Sequence, residues 1–166
     1  SLALTGRANI ATRLDYSAHP ELAAAFPYPH ELHVQAELVD DTLTVATIVL
    51  PTDEVAVPVS FGWHPYFVLP GVPREEWWVE LPVRRRAELD ELGIPTGRVE
   101  PVSIEPGPLG DRAYDDHFVD LAPAPFVLAG GGRRIEVELG DGYPYAQVFA
   151  PPDAPEPFIC FEPMTA

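Results

Sequence analysis

Apolar and polar residues alternate one by one over most of this chain, the mark of strands with one buried face. In residues 30–38 the apolar positions are Leu32, Val34, Ala36 and Leu38. After Asp40-Asp41 a second alternating run covers residues 42–49. Two such runs around an acidic turn predict a β-hairpin. Residues 55–61 read as a third strand, which Pro58 places at an edge or a bulge. Further strands are expected at 77–81, 99–104, 126–128, 134–139, 146–150 and 158–162. Turn signals separate them: Pro70-Gly71, Pro106-Gly107-Pro108, Gly130-Gly131-Gly132, Asp141-Gly142 and the Pro-rich stretch 151–157. Two segments depart from the pattern. Residues 20–26 read as a helix of two turns at most. Residues 84–92 carry good helix formers but also read as an extended strand. Many short strands between turn signals predict an all-β chain folded as an antiparallel β-sandwich. No repeat, low-complexity tract or linker divides residues 1–166, so one domain is expected.

Composition narrows the classes. The 21 prolines in 166 residues exclude a helical bundle, because proline breaks helix interiors. No apolar run reaches the roughly 20 residues that span a bilayer, so no membrane partner is expected. Acidic residues outnumber basic ones 26 to 10, and the net charge of −16 repels nucleic acid. The single cysteine, Cys160, has no partner for an internal disulfide, which places the chain by default in the reducing cytoplasm. Residues 1–10 carry no secretory pattern.

Most of the five histidines read as structural. His19, His30 and His33 lie at polar turn or strand positions, where solvent exposure or capping is the expected role. His64 differs. It sits in Phe61-Gly62-Trp63-His64-Pro65-Tyr66-Phe67. Gly62 permits unusual backbone angles, and Pro65 biases His64 towards extended backbone. The imidazole is thus held among aromatic rings, either as a core histidine or beside a platform for the apolar face of a sugar. Glu162 follows four apolar residues in Phe158-Ile159-Cys160-Phe161-Glu162-Pro163-Met164. An unpartnered buried carboxylate costs several kcal/mol, so Glu162 either faces water or is held for a task. If the two converge from 98 positions apart, they make an acid/base pair.

The remaining motifs are weaker. Asp115-Asp116-His117 is a poor metal site, because adjacent strand residues point to opposite faces. Gly130-Gly131-Gly132 lacks the Lys and Ser/Thr of a phosphate loop and reads as a turn. Arg84-Arg85-Arg86 could grip a phosphate, but reads more simply as a solvated charge run. Cys160, between Ile159 and Phe161, reads as a core position.

The stretches around His64 and Glu162 resemble two signature stretches of the aldose 1-epimerase (galactose mutarotase) family, in its shorter bacterial form. Residues 89–97, 107–118 and 142–151 are similar to it in order and spacing. The resemblance implies the galactose-mutarotase-like supersandwich and interconversion of the α and β anomers of a free hexose. It further implies His64 as general acid, Glu162 as general base, and Asp115 and Gln147 as sugar contacts. The reaction it implies needs no metal or organic cofactor. The family fold is longer, so these residues are expected to form its central and C-terminal part. The family's N-terminal sugar-contacting histidine and arginine have no counterpart here. Two other readings of the same fold are a sugar-binding module without turnover and an inactive β-sandwich fragment. A phosphorylated sugar would require arginines such as Arg84–Arg86 in the pocket. Exposed sheet edges would allow a homodimer.

Overall fold

The computed structural model describes residues 7–166. In chain order its elements are β1 (Arg7–Asp15), α1 (Pro20–Ala25), β2 (His30–Val39), β3 (Thr42–Pro51), β4 (Tyr66–Phe67), β5 (Trp78–Glu80) and β6 (Val83–Leu89). They continue with β7 (Pro95–Pro101), β8 (Gly107–Pro108), β9 (Tyr114–Leu121), β10 (Phe126–Gly130), β11 (Arg133–Val137), β12 (Tyr145–Ala150) and β13 (Ile159–Met164). They gather into two units, the first ending at Val59 and the second running Ser60–Ala166.

The first unit is a three-stranded antiparallel sheet ordered β1-β2-β3. The hairpin expected from the alternation is present, with Val39 opposite Thr42 and Asp40-Asp41 between them. Asp40 takes a positive φ of 53°, a conformation that a short polar side chain tolerates. The alternation did not single out β1. This strand is exposed along nearly its whole length and is held by its ladder to β2, from Arg7↔Val39 to Asp15↔Glu31. Its alternation, Ala8, Ile10 and Leu14 against Arg7, Asn9 and Arg13, is carried by few large apolar side chains and stands out less than that of β2 and β3. The short helix α1 starts on Pro20, a residue suited to a first turn, and ends before the extended Phe26. His30 departs from expectation. It is buried, stacks on Tyr16 at 4.4 Å and meets the edge of Phe26. Its Nδ1 lies 2.6 Å from the Tyr28 carbonyl oxygen, so it is a satisfied structural histidine rather than an exposed one.

The second unit holds a six-stranded sheet ordered β4-β13-β12-β9-β6-β7 and a four-stranded sheet ordered β11-β10-β5-β8. Alternation sends Ile159 and Phe161 of β13, Ala146, Val148 and Ala150 of β12, and Tyr114 and Phe118 of β9 into one core. Trp77, Val79, Phe126 and Leu128 belong to the same core. Phe126 packs against Phe161 with ring centroids 5.3 Å apart, which ties the two sheets together. Antiparallel sheets around a shared apolar core are the sandwich expected from the sequence. Of residues 84–92, readable two ways, those up to Leu89 belong to strand β6 and the rest turn towards β7. The β10–β11 turn falls on Gly131 and Gly132, both with positive φ, as a two-residue hairpin turn requires. The strand expected at 55–61 is absent; only Gly62, just beyond it, makes an isolated bridge, to Met164. Pro58 has no N–H to give to a ladder, and among the described residues the segment joins no sheet.

Candidate functional site

Three adjacent strands build the site. Register places Glu162 of β13 opposite Gln147 of β12, and Gln147 opposite His117 of β9. One step along, Cys160, Phe149 and Asp115 form a second row. The period of two puts both rows on the face of the six-stranded sheet that points away from the core. Gln147 Nε2 donates to Asp115 Oδ1 at 2.8 Å, joining the rows diagonally. His117 is buried and hydrogen-bonded to Gln147. A Gln147→Leu substitution is therefore expected to loosen Asp115 and to lower stability by about 1 kcal/mol, the contribution of one hydrogen bond; denaturant titration would check this.

His64 reaches the same face from a separate segment. Thr165 N donates to Phe61 O at 2.9 Å, and Phe61 N donates to Thr165 Oγ1 at 2.9 Å. Trp63 N donates to Pro163 O at 3.1 Å, so the segment before His64 is laced to the end of β13. Gly62 makes this approach possible. A Cβ there would lie 2.7 Å from Pro163 O and 2.3 Å from Met164 Sδ. Gly62→Ala is expected to push the segment away at a cost of about 1–3 kcal/mol. Thermal melting should show a lowered Tm, and any activity that needs His64 beside Glu162 should fall with it. Beyond His64, β4 pairs Tyr66 with Cys160 and completes the docking. The imidazole stacks on Tyr66 at 4.8 Å and meets Phe149 edge-on at 6.3 Å.

The result is a close contact between residues 98 positions apart. His64 Nε2 lies 3.2 Å from Glu162 Oε1, with the His64 side chain half exposed and that of Glu162 9 % exposed. The two atoms lie at ion-pair distance without a hydrogen bond, and Oε1 is buried with no hydrogen-bond partner among the described residues. Burial pushes the Glu162 carboxyl above its ordinary value; His64 opposes this and Asp115 adds to it. Burial likewise pushes the His117 imidazole below its ordinary value, while its bond with Gln147 acts the other way. The Cys160 thiol, wholly buried beside Glu162, is pushed up to about 12, mainly by burial. A thiol so held is no nucleophile, in line with its reading as a core residue.

Asp115 and Asp116 also border a groove of about 540 Å³ between β6, β7 and β9. Arg86 lies in it, bonded to Asp116 at 2.8 Å and to Glu100 at 2.5 Å. Arg98 is paired there with Glu88. Another hollow, of about 570 Å³, lies between the end of β9 and Tyr143 and contains none of the candidate residues. The structure thus gathers all four sequence-predicted site residues, His64, Glu162, Asp115 and Gln147, on one sheet face. It adds two that the sequence left as background. His117 stood only in a weak metal motif, and Phe149 was one apolar position in a strand. Phe149 lies in the strand expected at 146–150, whereas residues 114–121 do not alternate and leave His117 without a local signal; only strand pairing aligns the two.

Comparison with known proteins fits this arrangement. The sequence profile of the aldose 1-epimerase family matches residues 5–166. No curated protein matches the chain. A galactose mutarotase-like protein from Clostridium acetobutylicum superposes with a TM-score of 0.79 at 18% identity, covering 96% of this chain and 53% of that one. A galactose mutarotase related enzyme from Lactobacillus acidophilus gives 0.77 at 16% identity, covering 95% and 55%. A galactose mutarotase-like protein from Lactobacillus casei gives 0.70 at 21% identity, covering 99% and 59%. At such identities these structures establish the fold alone, and the chain spans little more than half of their length. The profile match over nearly every residue goes further, and by it the chain belongs to the aldose 1-epimerase family.

Proposed function

We propose that the second unit carries the acid/base centre of a mutarotase acting on a free hexose. The observation that carries this reading is the 3.2 Å approach of His64 Nε2 to Glu162 Oε1, on the face that also presents Asp115 and Gln147. Ring opening of a hemiacetal takes a proton from the anomeric hydroxyl and gives one to the ring oxygen. Both oxygens are bonded to C1, so the base and the acid must be neighbours. Glu162, desolvated and without a hydrogen bond on Oε1, is the base; His64 is the acid. Rotation about C1–C2 and closure with the roles reversed yields the other anomer. Asp115, held by Gln147, offers a carboxylate to sugar hydroxyls. The rings of Tyr66 and Phe149 frame the imidazole and limit its orientation.

The charges favour an unphosphorylated sugar. Arg86 and Arg98 face the groove beside Asp115, yet both are engaged by carboxylates. A phosphate would have to displace Glu100, Asp116 or Glu88 against a net charge of −16. The family profile runs unbroken over residues 5–166, which supports treating both units as one domain of the family fold.

Polarimetry tests the proposal. Freshly dissolved α-glucose or α-galactose should reach anomeric equilibrium faster with the protein than in buffer. The acceleration should be lost in Glu162→Gln and His64→Asn. Equal rates with and without the wild-type chain would overturn the enzymatic reading. Sugar binding in that case would leave the module reading, and no binding the inactive one.

A further inference from the structure

We infer that His64, Cys160 and Glu162 form a three-ligand site for a thiophilic divalent cation, with Zn²⁺ as its natural probe. The imidazole nitrogen, the thiol sulfur and a carboxylate oxygen all lie within 4.8 Å of one another. Tetrahedral zinc with Zn–N and Zn–O near 2.1 Å and Zn–S near 2.3 Å sets its ligand atoms roughly 3.4–3.6 Å apart. His64 Nε2 and Glu162 Oε1 are already 3.2 Å apart, and since no separation in the cluster exceeds 4.8 Å, side-chain shifts of about 1 Å would complete the polyhedron. The fold produces it in two steps. Alternation along β13 projects Cys160 and Glu162 from the same face, two residues apart. The β4–β13 pairing at Tyr66↔Cys160 then sets His64 over both.

A second observation points to a ligand. The Glu162 side chain is more than nine-tenths buried, and its Oε1 faces this cluster without a hydrogen bond. A buried carboxylate oxygen left so is costly, and a cation would satisfy it. Charge agrees. One thiolate and one carboxylate neutralise a divalent ion, so the loaded site carries no net charge into a dry environment. The donor set of nitrogen, sulfur and oxygen suits zinc or cobalt and disfavours magnesium and calcium, which take oxygen ligands. The half-exposed side of His64 leaves a fourth position open to water. Binding forms a metal–sulfur bond, and the thiol proton leaves to the buffer; nothing is oxidised or reduced.

The consequence for activity rests on the reading under Proposed function: the cation would occupy base and acid at once and block anomerisation. The site itself does not rest on it, and the test separates them. Untagged, chelator-treated protein is titrated with Co²⁺ while thiolate-to-cobalt charge-transfer absorption is followed in the near ultraviolet. Because the chain has one cysteine, that band reports Cys160 alone. The expected result is a one-to-one band, displaced by Zn²⁺ and unaffected by excess Mg²⁺. Affinity should weaken at least about tenfold in both His64→Ala and Glu162→Gln. No band, or a band of unchanged affinity in both variants, overturns the site. Zn²⁺ should also slow mutarotation in the wild type but not in Cys160→Ala, whose folding is checked by its melting curve. A cobalt site in a protein that never accelerates mutarotation would keep the site and remove the proposed function. Activity dependent on Glu162 without cobalt binding would do the reverse.

Discussion

Glu162→Gln is expected to lower kcat for anomerisation by about 10²–10⁴-fold, the contribution of one positioned proton-transfer group. The same change is expected to raise Tm by about 2–4 °C, which corresponds to relief of roughly 1 kcal/mol from the burial of a carboxylate charge. Both expectations come from one fact. Glu162 Oε1 is buried, 3.2 Å from His64 Nε2, and has no hydrogen bond. Water is thus kept from this carboxylate, which weakens the fold and, on the proposed reading, strengthens it as a base towards a sugar hydroxyl. A fall in activity with a lowered Tm would mean that Glu162 supports structure rather than chemistry.

The pH dependence has a definite sign. Burial raises the Glu162 carboxyl above its ordinary value, Asp115 raises it further, and the His64 contact lowers it; Cys160 faces it as well, with its thiol pushed up to about 12. A raised carboxyl favours the folded state in its protonated form. Its contribution to stability is full below the ordinary carboxylate value and is lost as pH rises through the folded-state value. The Tm advantage of Glu162→Gln should therefore grow from acidic to neutral pH. On the proposed reading catalysis runs the other way, since a general base must be ionised. The acid limb of kcat/KM should lie above the ordinary glutamate range. Melting curves and rates over the same pH series would check both.

The largest loss of stability is expected at Trp77. Its side chain is 1 % exposed within the core of the second unit, and Nε1 donates to Val72 O at 2.9 Å. Its backbone is fixed too: Leu109 N donates to Trp77 O at 2.6 Å, and Trp77 N donates to Arg74 O at 3.1 Å. With the backbone held on both sides, little can move in to fill the space of a deleted indole. Trp77→Ala should cost about 3–5 kcal/mol and lower Tm by on the order of 10 °C. Trp77→Phe keeps an aromatic ring but leaves the Val72 carbonyl oxygen without its donor, and should cost clearly less. Equal losses for the two variants in denaturant titrations would show that the hydrogen bond, not the volume, dominates.

Alternation in the sequence was enough to place the β2–β3 hairpin, β5, β10, β11, β12 and β13, because period two is legible in the residue types themselves; in β12 and β13 it records a buried face, whereas β3 alternates without burying a residue. The prolines excluded long helices for an equally local reason. Residues 84–92 stayed readable two ways because helix formers and strand alternation coincide there; pairing with β7 and β9 decides for β6. The exposed β1 and the stretch 55–61, which joins no sheet, depart from the local pattern in opposite directions. A ladder made by a distant strand leaves no trace in local hydropathy, and a missing partner leaves none either.

The candidate site divides the same way. His64 and Glu162 stood out by residue type and aromatic setting, and the family likeness drew Asp115 and Gln147 beside them. Their meeting did not stand in the sequence. It depends on Thr165 and Pro163 hydrogen-bonding the segment before His64, on a glycine at 62 that lets the backbones close, and on the registers that align Glu162, Gln147 and His117 across three strands. Side-chain chemistry is a property of single residues and can be read along a chain. Distance, burial and the unsatisfied oxygen on Glu162 are properties of pairs far apart in it, and only packing sets them.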